Sequence, residues 1–340
     1  MGTSRLRPGR VARSVALILG GGLAAFGASV VLRQSRTFDA PLPAIVASSD
    51  PDVIARGRYL VTGPGHCVSC HGDEASSSVD RALSGGRGFD LPIGRVHAPN
   101  LTSDRDTGLG SVSDGAIARA LRHGVGFDGR ALVGLMAFGD LADDDLRAIV
   151  SYLRTQPAVH HPTPPNEWTA LGRVVRAFVL KPEPPSRVAR GPAPSGPTVE
   201  NGEYLANAVA NCRGCHTERN VRTGRPSGPP FAGGMEFEIA PGRRLSSPNL
   251  TPDAATGRIA AWTEDEFVAR FRAGPAIAES PMPWLSFAAM RDEDLRAIHR
   301  YLRSLPAVRR GPAIDAPWRD ARLRSAYGRP ARSASPGRSS

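Results

Sequence analysis

All four cysteines of this 340-residue chain lie in two copies of one short motif, Cys-x-x-Cys-His. The first copy runs from Cys67 to His71 and the second from Cys212 to His216. Three other sequences recur in the same order, at offsets of 145 to 149 residues: Gly57-Arg58-Tyr59-Leu60 with Gly202-Glu203-Tyr204-Leu205, Pro99-Asn100-Leu101-Thr102 with Pro248-Asn249-Leu250-Thr251, and Asp145-Leu146-Arg147-Ala148-Ile149 with Asp294-Leu295-Arg296-Ala297-Ile298. Such order indicates a tandem duplication, which predicts domains at 51–157 and 197–309.

The spacing within the motif is that of covalent haem attachment. Two thiols separated by two residues can reach both vinyl groups of one porphyrin, and the adjacent histidine supplies a nitrogen ligand to the iron. The motif therefore predicts two haem c groups. The residues it assigns are the haem-binding Cys67, Cys70, Cys212 and Cys215 and the iron ligands His71 and His216.

Other uses of paired cysteines fit this sequence less well. A zinc ribbon places its two cysteine pairs about 15–20 residues apart, whereas these pairs are 145 residues apart. A thioredoxin-like pair needs a strand–helix–strand context, and the sequence shows no convincing alternating strand pattern. A disulfide in an exported protein would not explain why a histidine follows both pairs.

The first residues of the chain have the pattern of an export segment. Four arginines precede an apolar run from Val15 to Leu32, and two more follow it. The run has 18 residues, which as a helix would be about 27 Å long, near the lower limit for crossing a bilayer. The excess of arginine before the run favours export of the rest of the chain. Segment 1–36 is predicted to be a membrane anchor, and a signal peptide cleaved after Ala25-Phe26-Gly27 is the alternative.

The net charge of +11 belongs to the two ends of the chain. Segment 1–36 has six arginines and no acidic residue, and segment 309–340 has eight arginines and two aspartates. The remainder has 29 basic and 30 acidic residues. A nucleic-acid-binding protein carries its basic surface on the folded part, so no nucleic-acid partner is expected.

Two segments outside the predicted domains are rich in proline. Segment 158–196 is predicted to be a semi-rigid linker, and within it Trp168–Leu180 fits a short amphipathic helix. The tail 310–340 is rich in arginine, serine and proline, and we predict that it is disordered.

Apolar periodicity predicts three helices in each copy. They are Asp52–Thr62, Asp114–His123 and Asp143–Gln156 in the first and Val199–Ala210, Glu264–Ala273 and Asp292–Leu305 in the second. Gly57 and Gly202 lie inside predicted helices, where they cost stability unless a partner helix approaches closely. Stretches 72–113 and 217–262 lack strong periodicity, and so much irregular chain implies that a bound group fills part of each core.

Each copy resembles a class I cytochrome c domain, with an N-terminal helix, Cys-x-x-Cys-His, a later Pro-x-Leu, a methionine and a C-terminal helix. Behind a membrane anchor, the pair is similar to the multihaem cytochrome c subunits of membrane-bound alcohol and gluconate dehydrogenases and their dihaem relatives. The resemblance implies a mostly α fold: two tandem class I cytochrome c domains, each a small helical domain around a covalent haem, behind an N-terminal transmembrane helix.

The resemblance also implies that a methionine is the sixth ligand of each iron. Met282 lies 66 residues after its histidine, and Met136 lies 65 residues after its own. Met136 lacks the proline that follows Met282, so its loop departs from the pattern. His97 and His123 are alternative ligands for the first haem, although neither recurs in the second copy.

A further pair of residues has a role by resemblance. Pro99 and Pro248 are implied to accept, through their carbonyl oxygens, a hydrogen bond from Nδ1 of the proximal histidine. Such a contact orients the ring and increases the basicity of the ligand. The alternative is that each is an ordinary turn proline.

The function expected from these features is single-electron transfer without catalysis by the chain itself. The expected protein is a dihaem cytochrome c tethered to the inner membrane, with its domains facing the periplasm. Its expected partners are a dehydrogenase or quinol-side donor and a respiratory acceptor, namely a terminal oxidase or another cytochrome. The alternatives are a peroxidase-like dihaem enzyme with one open haem, and a dedicated cytochrome subunit of a dehydrogenase complex.

Overall fold

The structure is a computed structural model that describes residues 8–310, except 75, 137, 183–184, 186–190 and 221–223. The predicted disordered tail therefore lies outside the described residues from position 311 onward. The chain divides into two compact units, Met1–Arg58 with Cys70–Gly191, and Tyr59–Ser69 with Pro192–Ser340.

The chain begins with a long apolar helix, α1, at Pro8–Arg33. Its part from Ala12 to Arg33 is long and apolar enough to cross a membrane. A signal sequence near the N-terminus has the same properties, so both alternatives for segment 1–36 stay open.

Seven more elements follow before residue 170. They are α2 (Pro51–Thr62), α3 (Val68–His71), β1 (Gly88–Leu91), β2 (Gly94–His97), α4 (Asp114–His123), α5 (Asp143–Arg154) and β3 (Glu167–Trp168). A short helix in the linker, α6 (Ala170–Phe178), comes next. The three strands form one antiparallel sheet in the order β1-β2-β3, with Phe89 opposite Val96 and Gly94 opposite Trp168.

The second half of the chain largely repeats this order of elements. It contains α7 (Val199–Tyr204), which continues as a π-helical turn at Leu205–Val209, then α8 (Cys212–Cys215), β4 (Glu236–Ala240), β5 (Arg243–Ser246), α9 (Glu264–Arg272), α10 (Trp284–Ala288) and α11 (Asp292–Ser304). Strands β4 and β5 pair antiparallel, with an irregularity between Glu238 and Ala240.

The predicted helices are present, and local signals explain where they begin and end. Helix α4 has the predicted bounds because the Ser113 side chain accepts a bond from the Ala116 amide and Gly124 ends the helix in the left-handed region. Thr263 and Glu266 form a capping box at the start of α9. The linker helix is shorter than predicted, because Thr169 caps it and Trp168 pairs with β2.

Stretches 72–113 and 217–262, which the sequence indicates are irregular, are not wholly so. A two-stranded hairpin lies in each of them, β1–β2 and β4–β5. Each strand has only four or five residues, too few for an alternating pattern to stand out. The turn Pro241-Gly242, with φ of +71° at the glycine, is the kind of local signal that marks such a hairpin.

The two glycines inside helices do mark close contacts between helices. A Cβ at Gly57 would lie 1.9 Å from the carbonyl oxygen of Ala148 in α5. A Cβ at Gly202 would lie 1.9 Å from the carbonyl oxygen of Ala297 in α11. The same crossing of the first and last helices thus occurs in both copies, and the prediction from these glycines is confirmed.

Candidate functional site

The two motif histidines lie at equivalent places in the fold. His71 is the last residue of α3 and is buried, while His216 directly follows α8 and is half-buried. Nδ1 of His71 is 2.9 Å from the carbonyl oxygen of Pro99. Nδ1 of His216 is 3.0 Å from the carbonyl oxygen of Pro248. These are the contacts that the resemblance implies, and their role toward a haem stays a prediction.

This contact fixes the tautomer of each ring. Because a carbonyl can only accept, Nδ1 carries the proton and Nε2 has a free lone pair. Within the described residues Nε2 of neither His71 nor His216 has a hydrogen-bond partner. Burial lowers the pKa of both imidazoles, and the bond to the proline carbonyl opposes part of that shift. Both rings are thus neutral at neutral pH, the form that binds a metal.

A glycine in each copy joins the histidine to the proline loop. The amide of Gly85 donates to the carbonyl of His71 at 2.9 Å, and the amide of Gly233 donates to that of His216 at 2.8 Å. Their φ angles are +72° and +73°, and a Cβ at Gly85 would lie 2.5 Å from the Pro99 carbonyl oxygen. Only glycine fits so close an approach in this conformation. We did not assign these residues from the sequence, although a Gly-Gly pair recurs there in both copies.

A buried asparagine next to each proline holds the same loop. Asn100 donates from Nδ2 to the Val159 carbonyl at 2.8 Å, and its Oδ1 accepts from the Thr102 amide at 2.9 Å. Asn249 makes the matching bonds to the Val308 carbonyl, at 2.9 Å, and from the Thr251 amide, at 2.9 Å. The asparagine therefore ties the proline loop to the chain that follows the last helix. The sequence showed the repeated Pro-Asn-Leu-Thr, but we assigned a role to its proline alone.

Replacing Asn249 with alanine should destabilise the second unit by about 1–3 kcal/mol, because the buried Thr251 amide and the half-buried Val308 carbonyl each lose a partner. The free energy of unfolding, measured with guanidinium chloride and far-ultraviolet circular dichroism, checks this. Asn100→Ala should lower the stability of the first unit by a similar amount. A loss well below about 1 kcal/mol in both variants would contradict the role of the asparagine in holding the loop.

The four cysteines are thiols that are not joined in disulfides. Burial raises the pKa of Cys212 to about 12, and it also raises the pKa of Cys70 and Cys215. The residue before each pair has a positive φ, +41° at His66 and +49° at Asn211. This conformation is uncommon for residues with a side chain and recurs at the same position in both copies.

The residues present fit covalent haem better than a metal ion alone. Each motif offers two thiols outside any disulfide and a neutral imidazole with a free Nε2. A zinc site needs a cluster of three or four such ligands. No group of three or more His, Cys, Asp or Glu that could hold a metal ion occurs in the described part of the chain. The chemistry of the donors therefore fits haem attachment at both motifs.

The predicted methionine ligands lie in loops. Met136 lies between α4 and α5, Met282 lies just before α10, and both are half-buried. Met290 is buried in the core of the second unit, with 2% of its surface exposed. Ligation by Met136 and Met282 stays a prediction.

Comparison with known proteins finds relatives along most of the chain, while no family model matches it. The cytochrome c subunit of a quinone-dependent alcohol dehydrogenase from Gluconacetobacter polyoxogenes is 28% identical over 277 residues, 76% of this chain and 57% of that protein. A dihaem cytochrome c-type protein from Cereibacter sphaeroides is 28% identical over 278 residues, 76% of this chain and 90% of that protein. The chain is thus similar in sequence to cytochrome c subunits of dehydrogenases and to a dihaem cytochrome c-type protein. The predicted resemblance is confirmed.

These relatives differ in length from the chain. A nicotinate dehydrogenase subunit from Pseudomonas putida is 30% identical over 298 residues, 81% of this chain but 23% of that protein. The chain thus spans between about a quarter and three-fifths of the length of several curated relatives it matches, and nearly all of the dihaem protein.

Proposed function

We propose that this chain is a membrane-tethered dihaem cytochrome c that passes single electrons and is not itself a catalytic subunit. The observation that carries the proposal is the duplicated pairing of a neutral motif histidine with a proline carbonyl, next to two thiols that no disulfide occupies. When bound, haem c supplies a one-electron couple whose potential depends on its axial ligands and surroundings.

The roles of the residues follow from their chemistry. Cys67, Cys70, Cys212 and Cys215 would bind two haem c groups, and Nε2 of His71 and His216 would ligate the irons. The Pro99 and Pro248 carbonyls hold each ring in one orientation and make Nε2 more basic. The thioethers of Met136 and Met282 would complete the ligand sets, and a substrate would then have no open position to bind.

The fold that we propose is two tandem class I cytochrome c domains, at 51–157 and 197–309. The repeated helix crossing at Gly57 and Gly202 supports it, as does the repeated glycine–proline–asparagine loop. In this proposal a haem fills the part of each core that borders stretches 72–113 and 217–262, where the chain forms only short strands.

The location and partners that we propose follow from α1 and from the relatives. An uncleaved α1 would tether the chain to the inner membrane, with the haem domains in the periplasm. The names of the relatives support a dehydrogenase as the electron donor, in a complex where this chain is the cytochrome subunit. A terminal oxidase or another cytochrome would then accept the electrons.

Visible spectra of the haem-loaded protein, with and without carbon monoxide, test this function. We expect two low-spin haems per chain, neither of which binds carbon monoxide. Met282→Ala and Met136→Ala should each open one iron, so that half of the haem binds carbon monoxide. Met290→Leu changes a buried methionine to a residue of similar volume. It is the control and should not change carbon monoxide binding.

Two results would contradict the double methionine ligation. Carbon monoxide binding by one haem of the unaltered protein would show an open iron and favour the peroxidase-like enzyme. A Met136→Ala variant that binds no carbon monoxide would show that another side chain, such as His97 or His123, ligates the first haem.

A further inference from the structure

The linker helix α6 has an apolar face that the protein covers only in part, because Leu171 is exposed while Val174, Val175 and Phe178 are half-buried. Leu171, Val174, Val175 and Phe178 lie at i, i+3, i+4 and i+7, on one side of the helix. Leu171 is 56% exposed, and Val179, just after the helix, is 64% exposed. A surface helix normally turns such side chains toward a core, so exposed apolar side chains like Leu171 and Val179 point to a further binding partner.

The N-terminal end of α6 is fixed to the turn between β1 and β2 of the first unit. A Cβ at Gly172 would lie 1.8 Å from the carbonyl oxygen of Ile93, and the Thr169 amide donates to that same oxygen at 3.2 Å. Ala177 is also buried. Helix α6 is therefore held against the sheet by its small residues, while Leu171 and Val179 stay exposed.

Helix α6 packs against the last turns of α1. The rings of Phe26 and Phe178 stack with centroids 5.9 Å apart and planes at 12°. The Arg33 guanidinium lies 5.2 Å from the centre of the Phe178 ring. Val30 is only 8% exposed, whereas the α1 side chains before it are mostly exposed. Because Phe26, Val30 and Arg33 are spaced at i, i+4 and i+7, they form the α1 face that α6 covers.

This contact fixes the depth of α6 if α1 crosses a bilayer. The 22 residues Ala12–Arg33 would span about 33 Å as a helix, slightly more than a hydrocarbon core of about 30 Å. Phe26 to Arg33 is the last third of that length. The face of α1 that α6 covers would therefore lie where acyl chains meet headgroups. Lipid would meet the apolar side chains of α6 that α1 leaves exposed.

The polar residues of α6 suit the same boundary. Trp168 comes just before the helix, and the Arg176 guanidinium lies 4.6 Å from the centre of its ring. Arg173 is exposed and has no ion-pair partner within the described part of the protein. Tryptophan is enriched at membrane interfaces, and arginine on the polar face of an amphipathic helix binds anionic headgroups.

We infer that α6 is an interfacial helix that lies on an anionic bilayer beside α1, with Leu171 and Val179 among the acyl chains and Arg173 at the headgroups. The inference rests on the proposed anchoring by α1. It gives the first unit a second attachment to the membrane, which would hold that unit at the bilayer surface instead of on a free tether.

Cross-linking to lipids tests the inference on the full-length, haem-loaded protein in nanodiscs of phosphatidylcholine and phosphatidylglycerol. A phospholipid with a diazirine on its upper acyl chain is activated by light, and the adducts are mapped by mass spectrometry. We expect adducts on α1 and α6 and none on α9. In the double variant Leu171→Glu/Val179→Glu we expect the adducts on α6 to fall about tenfold or more while those on α1 persist.

A matched control and the haem spectrum make the outcomes distinct. Val199→Glu alters an equally apolar side chain, 45% exposed, in the second unit, and it should leave the α6 adducts unchanged. Adducts on α1 without adducts on α6, or α6 adducts that persist in the double variant, would overturn the inference and leave the anchor standing. If α1 carried no adducts, both the inference about α6 and the proposed anchor would be overturned. A visible spectrum that is the same in the double variant as in the unaltered protein would leave the haem assignment intact.

Discussion

Replacing Gly202 with alanine should destabilise the second unit by about 3 kcal/mol or more, a large part of the stability of an ordinary domain. The new Cβ would lie 1.9 Å from the carbonyl oxygen of Ala297 and 2.8 Å from Cβ of Tyr301. Both are parts of α11 that cannot swing aside as the end of a flexible side chain can, so α7 and α11 would have to separate. The free energy of unfolding, measured by guanidinium denaturation and circular dichroism, gives the size of the loss.

Another helical glycine provides the control. A Cβ at Gly115, in α4, would meet its nearest neighbours, Leu42 and Pro43, at an ordinary 3.4 Å. Gly115→Ala should therefore be neutral or stabilise the first unit by up to about 1 kcal/mol. Gly57→Ala should be as damaging in the first unit as Gly202→Ala is in the second. If Gly202→Ala lowered the free energy of unfolding no more than Gly115→Ala does, this would contradict the close approach of α7 and α11.

The parts of the fold that the sequence predicted are those specified by neighbouring residues. Helix α4 is bounded by a serine cap and a glycine, both directly next to the helix they limit. The crossing at Gly57 could be predicted because glycine inside an apolar helical pattern is costly without a close neighbour. The motif histidines could be predicted because the two thiols that mark them are close by in the chain.

The parts that the sequence did not predict depend on residues far apart in the chain. The π-helical turn at Leu205–Val209 is a single turn, too short for a periodic pattern of apolar residues to predict it. The partner of Asn249 is the carbonyl of Val308, 59 residues later, and the backbone group is available whatever the side chain. Gly233 is needed because the backbone of Ser247 and Pro248 passes within 2.6 Å of where its Cβ would be, which only the folded chain shows.

Replacing both Cys212 and Cys215 with alanine should reduce the covalent haem content from two groups per chain to one. The reason is that no other cysteine exists to form the thioether bonds, because all four lie in the two motifs. The pyridine haemochrome spectrum gives the haem content, and the intact mass of the protein gives the number of groups attached. Cys67→Ala/Cys70→Ala is the matched variant and should lose the other haem.

The two double variants should also differ in which unit of the protein they destabilise. Each unit carries its own helix crossing and its own asparagine-held loop, but we expect the haem to fill the core beside the loop. Loss of the second haem should therefore weaken the second unit, including the contact between His216 and Pro248, and leave the spectrum of the first haem unchanged. Two haems still attached after Cys212→Ala/Cys215→Ala would refute the assignment. Loss of both haems would refute the independence of the sites, since a duplicated domain with its own ligands should mature without its neighbour.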